Sequence, residues 1–550
     1  MSTATARARP TAAPRRRDGP ATSTGTLVRF MLRRDRVRLP AWAAGFALFV
    51  VYLATALPQV AETEEELRGT TQLFGDPVGR LLIGPGYGFD DPTFAQFLAN
   101  GYGLYFLLLA ALMSILLVSR HTRMEEQTGR AELVRANVVG RHAPLTATLV
   151  VAVVNNLAVG VVVVATMTGV GGYEAEGSLL FAVGIAAFGL AFAGVTALTV
   201  QLTEYSRGAA GMAGVVLGVA FVLRAGGDMA EQGGGALSWA SPLGWGQQTA
   251  PFVLDRWWPL ALVVALAGVS AGVGFVLAAR RDLGASLVAV RPGRARAAPY
   301  LGSPWGLALR LQRASILGWA AALAVGGLAF GAYTEALITA LEDLPDVFID
   351  LFGGAEEMVA GYLAYMAVFM SYVVAAFAIL AVQSLRAEET RGRAEPILAT
   401  PVSRRTWLAT NLGVTAAAVV VLMAVIGAAT GIGAAIVTGD GHHIGDLLLA
   451  HLNHVPAVLV VLGVAALLFG VLPRAIAVTW VIVGYGLVVG TFGPMLELPD
   501  AAYDLSPFEH AAQLPLEEFA LAPLLVAAAV ALATAVIGWF GLRRRGINVA

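Results

Sequence analysis

Long apolar runs alternate with short polar ones along the whole chain. They fall at about 40–58, 98–119, 145–169, 178–202, 209–224 and 257–279. A second series follows at about 315–335, 361–384, 407–437, 447–472, 475–494 and 519–541. Most reach the roughly 20 residues that carry a helix across the hydrocarbon layer. A chain in lipid must satisfy its backbone polar groups internally, so runs of this length predict helices. The shortest, 209–224, ends on Arg224 and is the weakest span of the set. The pattern predicts an all-α polytopic membrane protein with about twelve transmembrane helices. Composition agrees: 57% of residues are hydrophobic and 13% charged, against about 25% charged in soluble domains.

Charge sorts by connection. Arginines gather in one set: Arg120, Arg123, Arg130, Arg135 and Arg141, then Arg207, Arg280, Arg281, the stretch Arg386 to Arg405, Arg474, and Arg543 to Arg545. The alternate connections are acidic, with Glu62 to Glu66, Asp90, Asp91, Glu174 and Glu176, then Glu342 to Glu357 and Glu497 to Glu518. The positive-inside rule then places both termini in the cytoplasm, and basic residues that are all Arg, with much Ala, Val and Gly, point to a bacterial cell membrane. Six spans per half is an even number, so the halves are parallel repeats. Residues 1–25 are expected to be a disordered cytoplasmic tail, 26–280 the first six-span half, 281–304 a cytoplasmic linker, and 305–550 the second half. Residues 26–39 place Leu27, Phe30, Met31, Arg34 and Val37 in helical register beside four other arginines, the pattern of an amphipathic helix lying on the membrane. The alternative is simply the positive flank of the first span. Segments 59–97, 225–256, 336–360 and 495–518 exceed simple turns and predict short interfacial or re-entrant helices.

One polar stretch occurs twice. Glu125 to Arg141 reads EEQTGRAELVRANVVGR, and Glu388 to Arg404 reads EETRGRAEPILATPVSR, with nine of seventeen positions identical at an offset of 263. Each copy lies between the second and third spans of its half. Glu126 with Arg130, and Glu389 with Arg393, are i,i+4 pairs that favour a short helix. Gly129 and Gly392 sit in mid-loop, where a missing side chain suits close approach of another backbone. Glu132 and Glu395 recur as well, and membrane anchoring does not explain recurrent acids. Two roles fit: packing of the two loops on each other, or docking of a cytoplasmic partner.

Here the chain resembles ABC exporter permeases, in particular the fused, double-length kind that exports polyketide antibiotics in actinobacteria, the tetronasin-resistance type. The resemblance rests on E-E-x-x-G-R-A-E in both halves and on Pro401 to Arg404. The first copy departs there, with Asn137 to Arg141. The resemblance implies that Glu125, Glu126, Gly129, Arg130, Glu132 and Arg141, with Glu388, Glu389, Gly392, Arg393, Glu395 and Arg404, belong to coupling loops seated on two copies of a separate cytoplasmic ABC ATPase. It implies efflux of hydrophobic or amphiphilic compounds, with ATP and Mg on that partner and no cofactor on this chain.

The chain contains neither Cys nor Lys. A P-loop needs its Lys on the phosphates, so ATP hydrolysis cannot rest on a Walker A motif here. Disulfides and thiolate metal sites are excluded. No catalytic constellation or nucleic-acid motif stands out. Asn155 and Asn156 are expected as interhelical glue. His451, Asn453 and His454 are expected as an interfacial polar face rather than a metal site, and Glu335 near the end of the seventh span. Phe97, Tyr102, Tyr105 and Phe106, and Tyr362, Tyr365, Met366, Phe369 and Met370, form aromatic and Met stripes suited to a bulky apolar ligand, or to ordinary packing. Two rival functions stand beside the exporter: a proton-coupled secondary transporter, and a membrane component without transport.

Overall fold

A computed structural model describes residues 19–61, 64–75, 77–288, 296–334, 338, 358–493 and 498–545. Among these residues there is no strand, and twelve helices are long and apolar enough to cross a membrane. The chain divides into two compact units, Met1–Arg291 and Pro292–Ala550. Glu335 and most of 336–360 lie outside the described residues.

In the first unit a short helix, Thr24–Arg34, precedes the spans. Residues 19–25, expected in the tail, are turn and helix start. Asp35 to Val37 form a turn, so Val37 leaves the expected amphipathic register and is exposed. Span 1, Arg38–Val60, restarts with Pro40 in its first turn, where a missing N–H costs nothing. Spans 2 to 6 are Gly103–His121, Ala143–Gly169, Ala175–Leu202, Ser206–Ala230 and Pro259–Ala279. The fifth is longer than its apolar run, because Arg224 is neutralised one turn on by Asp228 (3.4 Å) and both are buried. The second unit starts differently. Span 7, Pro304–Ala332, is one uninterrupted rod, begun by Ser303, whose hydroxyl accepts from the Gly306 N–H at 3.0 Å.

Spans 8 and 9 are Met358–Thr390 and Arg404–Thr438. Span 10 is broken at His454 into His442–Asn453 and Val455–Val471. Span 11 is a 3-10 turn, Pro473–Val478, leading into Thr479–Phe492, and span 12 is Leu521–Arg544.

Lipid gives little hydrophobic drive between helices, so close contact rests on small residues and polar glue. The Asn156 side chain donates to the Ser114 hydroxyl at 3.0 Å, tying span 3 to span 2 as expected of glue. Span 6 meets span 4 backbone to backbone: a Cβ on Gly274 would stand 2.8 Å from the Ala197 carbonyl. Span 12 packs on span 10 in the same way, with Gly470 against the carbonyl of Gly538. These contacts fix where the last span of each unit ends. Aromatic pairs lie among the aliphatic side chains of each core, such as Phe49 stacked on Phe106 at 4.6 Å and Tyr372 edge-on to Phe508 at 4.6 Å.

At the far end of the first unit the long connections contain short helices, Glu64–Gly75, Pro77–Ile83, Ala236–Trp239 and Pro242–Gln247. Polar bonds knit them together. Gln247 donates to the Ile83 carbonyl at 2.7 Å, Arg80 to the Asp228 carbonyl at 2.7 Å, and the Tyr87 hydroxyl to Gln248 at 2.6 Å.

Candidate functional site: the paired polar loops

Span 2 stops at Thr122, whose backbone leaves the helical region, and a short helix Arg123–Gln127 follows. Gly129 then takes φ 72° and starts a second short helix, Arg130–Arg135. In the second unit span 8 runs unbroken through Glu388 and Glu389 to Thr390, Gly392 takes φ 70°, and Glu395–Leu398 follows. Both glycines serve left-handed backbone, which side chains disfavour. No other described residue of this chain brings its backbone close: a Cβ at Gly129 would meet nothing within 4 Å, and at Gly392 only the Glu395 side chain, among the described residues.

The expected i,i+4 pairs do not form. Glu126 receives Arg123 at 2.7 Å and is gripped by both terminal nitrogens of Arg281, at 2.6 and 2.9 Å. Glu389 receives Arg386 at 3.2 Å and both terminal nitrogens of Arg545, one at 2.9 Å. The Glu126 side chain is 11% exposed and that of Glu389 2%. A bidentate guanidinium at the end of the last span holds these carboxylates better than an exposed neighbour one turn away. Arg130 and Arg393 instead face the preceding acids, Glu125 at 3.8 Å and Glu388 at 2.8 Å. Arg123 is itself buried, donating to the carbonyls of Val200 and Ala285.

The ends of the loops repeat the scheme. Arg141 donates to the Ala279 carbonyl at the end of span 6, and Arg404 to the Arg545 carbonyl after span 12, at 3.1 Å. Each loop is thus fastened to the last span of its own unit at two points. Glu132 and Glu395 make no ion pair among the described residues, and both are exposed, as are Leu133 and Pro396 in the next positions. Sequence reasoning passed over Arg123, Arg386, Arg281 and Arg545 as partners. The signal was present, because Arg-x-Glu-Glu at 123–126 recurs at 386–389.

The first loop carries an addition. Arg34 reaches Glu125 at 2.6 Å, and Asp35 sits between Arg120 (2.8 Å) and His121 (2.6 Å). Residues 19–23 lie across the loop's end: the Gly140 N–H donates to the Thr22 carbonyl and the His142 N–H to that of Pro20, at 3.1 and 3.0 Å. A Cβ on Gly140 would run into the Pro20 carbonyl. The second loop has Ser403 there, which explains why the two copies part company at this point.

The aromatic stripes split. Phe97 is buried in a π turn, Phe97–Gly101, edge-on to Tyr102 at 5.6 Å, and Phe106 is core. Tyr362 is buried with its hydroxyl donating to the Phe330 carbonyl at 2.9 Å, and Met366 and Met370 are buried too. Open faces remain on Tyr105, which is 42% exposed, and more partially on Tyr102, Tyr365 and Phe369, the last two stacked at 6.2 Å. His451 and His454, expected at an interface, are fully buried where span 10 breaks, and among the described residues no metal-binding cluster occurs. Beyond span 11, burial pushes the Glu509 carboxyl above the usual carboxylate range, although the Tyr372 hydroxyl donates to it at 3.4 Å.

A family model described as the C-terminal domain of the multidrug efflux system permease Rv1217c matches residues 25–277 and 301–543. The chain belongs to this permease family. It is also 36% identical over 555 residues to the multidrug efflux system permease protein Rv1217c of Mycobacterium tuberculosis (strain ATCC 25618 / H37Rv), covering 100% of both chains. Neither finding names the tetronasin-resistance type. In this efflux permease both paired loops fall inside the matched stretches, and most of the arginine-rich connection expected as a linker falls between them.

Proposed function

We propose that this permease is the membrane subunit of an ATP-driven ABC exporter of hydrophobic or amphiphilic compounds, and that its paired loops seat two copies of a separate cytoplasmic ATPase. The observation that carries the proposal is the repeated clamp. In each unit a loop carboxylate is locked to the last span, so a push on the loop is a push on the transmembrane helices. A loop that only connected two spans would need no such fastening. The exposed residues beside the clamp, Glu132 and Leu133, and Glu395 and Pro396, are left for the partner. ATP and Mg belong to that partner, both termini face the cytoplasm, and substrate meets the open faces of Tyr102, Tyr105, Tyr365 and Phe369. The relative's printed name, a multidrug efflux permease, supports a broad apolar substrate class.

A proton-coupled transporter would want carboxylates within the membrane. Among the described residues none lies in the middle third of a span, and Asp228 is tied to Arg224 and Ser238. The test is dye efflux from cells co-expressing the permease with a separate ABC ATPase subunit, with the proton gradient collapsed and ATP held constant. Efflux should persist within about twofold. Efflux that stops with the gradient while ATP is unchanged would establish proton coupling instead.

A further inference from the structure

The first unit holds a cleft of about 100 Å³ between the N-terminal helix, the first loop, the start of span 3 and the end of span 6. Its walls are apolar, with Leu27, Met31 and Leu145 among them, and Phe30 stands half-exposed at its mouth. Its rim is basic: Arg34, Arg135, Arg141 and Arg281. Three acids also line it. Glu125 is paired with Arg34 and Glu126 is doubly held by Arg123 and Arg281, while Asp282 has no ion pair among the described residues. Four guanidinium groups line the cleft with three carboxylates, an excess of one positive charge. Arg135 is exposed and makes no ion pair or side-chain hydrogen bond among the described residues.

The corresponding cleft of the second unit, about 550 Å³ between residues 301–311 and the second loop, is lined by Leu307, Leu311, Ile397, Val402 and Trp407, with no charged side chain among the described residues. The basic rim is therefore particular to the first unit and is not a by-product of the repeat. An apolar slot at the membrane surface with surplus guanidinium at its mouth matches a molecule with an acyl chain and an anionic head.

We infer that this cleft binds one phospholipid with an anionic headgroup from the leaflet at the loop end of the first unit. The headgroup phosphate meets Arg135 and Arg141, and an acyl chain lies along Leu27, Phe30 and Leu145. Such a lipid would bridge the N-terminal helix and the first loop, leaving the second loop without an equivalent.

The test uses the purified full chain exchanged into vesicles of equal phosphatidylglycerol and phosphatidylcholine, with retained lipid counted by native mass spectrometry. Wild type should enrich phosphatidylglycerol. Arg135→Gln should cut the enrichment about fivefold, the worth of one surface arginine, and Arg135→Glu should abolish it. Arg393→Gln in the second loop should leave it unchanged. Both substitutions at Arg135 alter an exposed side chain, so folding is preserved, and a monodisperse elution profile checks this. Millimolar inorganic phosphate should not displace the lipid. Equal retention of both lipids by wild type, full enrichment in Arg135→Glu, or displacement by phosphate alone would each overturn the inference.

Discussion

At the scale of single residues, Glu126 and Glu132 of the first loop separate two kinds of acid that look alike in the sequence. Glu126 is nearly buried and held by two arginines, so deleting its charge leaves two guanidinium groups facing each other. Breaking a buried pair from one side costs about 3 kcal/mol. Glu126→Gln should therefore lower the thermal unfolding midpoint of the purified permease by several degrees, and Arg281→Gln should do the same. Glu132→Gln should leave it unchanged, because that side chain is exposed with no ion pair among the described residues. Equal midpoints for all three would mean that the clamp contributes nothing. The pairing was hidden from the sequence for a physical reason. Helix periodicity points from Glu126 to Arg130, whereas the partner that wins lies 155 positions away and arrives only because span 6 packs tightly on span 4.

At the scale of elements, the two loops share a clamp but differ in their surroundings. The first follows a break at Thr122 and lies under residues 19–23, while the second extends a span that does not break before Thr390. Gly140 is the residue that admits the overlying segment, residues 19–23. Placing at 140 the serine found at 403 should expel that segment. Hydrogen–deuterium exchange would report it, because the amides of Gly140 and His142 donate to residues 22 and 20. Gly140→Ser should raise exchange at both amides at least tenfold and leave the second loop unaffected. Unchanged protection would mean that the segment is held by other contacts. The amphipathic pattern at 26–39 predicted the helix but not its end, since Asp35 prefers the buried company of Arg120 and His121 to another helical turn.

At the scale of the whole molecule, the apolar runs carried most of the fold. Twelve runs became twelve candidate spans, because length and hydropathy are set by the bilayer and need no tertiary knowledge. Span 5 was undersized in the sequence because Arg224 looks like a span end until Asp228 is seen to neutralise it. The buried histidines were misplaced for the same kind of reason, since hydropathy cannot tell an interface from a polar residue enclosed by neighbouring helices. The loops were legible as a repeat, while their fastening was not. If the loops seat an ATPase, the face that matters is the exposed one. The measurement to make is co-purification of a co-expressed ABC ATPase subunit with wild type and with Glu132→Arg plus Glu395→Arg, a variant that leaves both clamps intact. The ATPase should follow wild type and fall at least tenfold with the variant, whose unfolding midpoint should match wild type. Equal capture by both proteins, or capture by neither, would contradict the docking role of the loops.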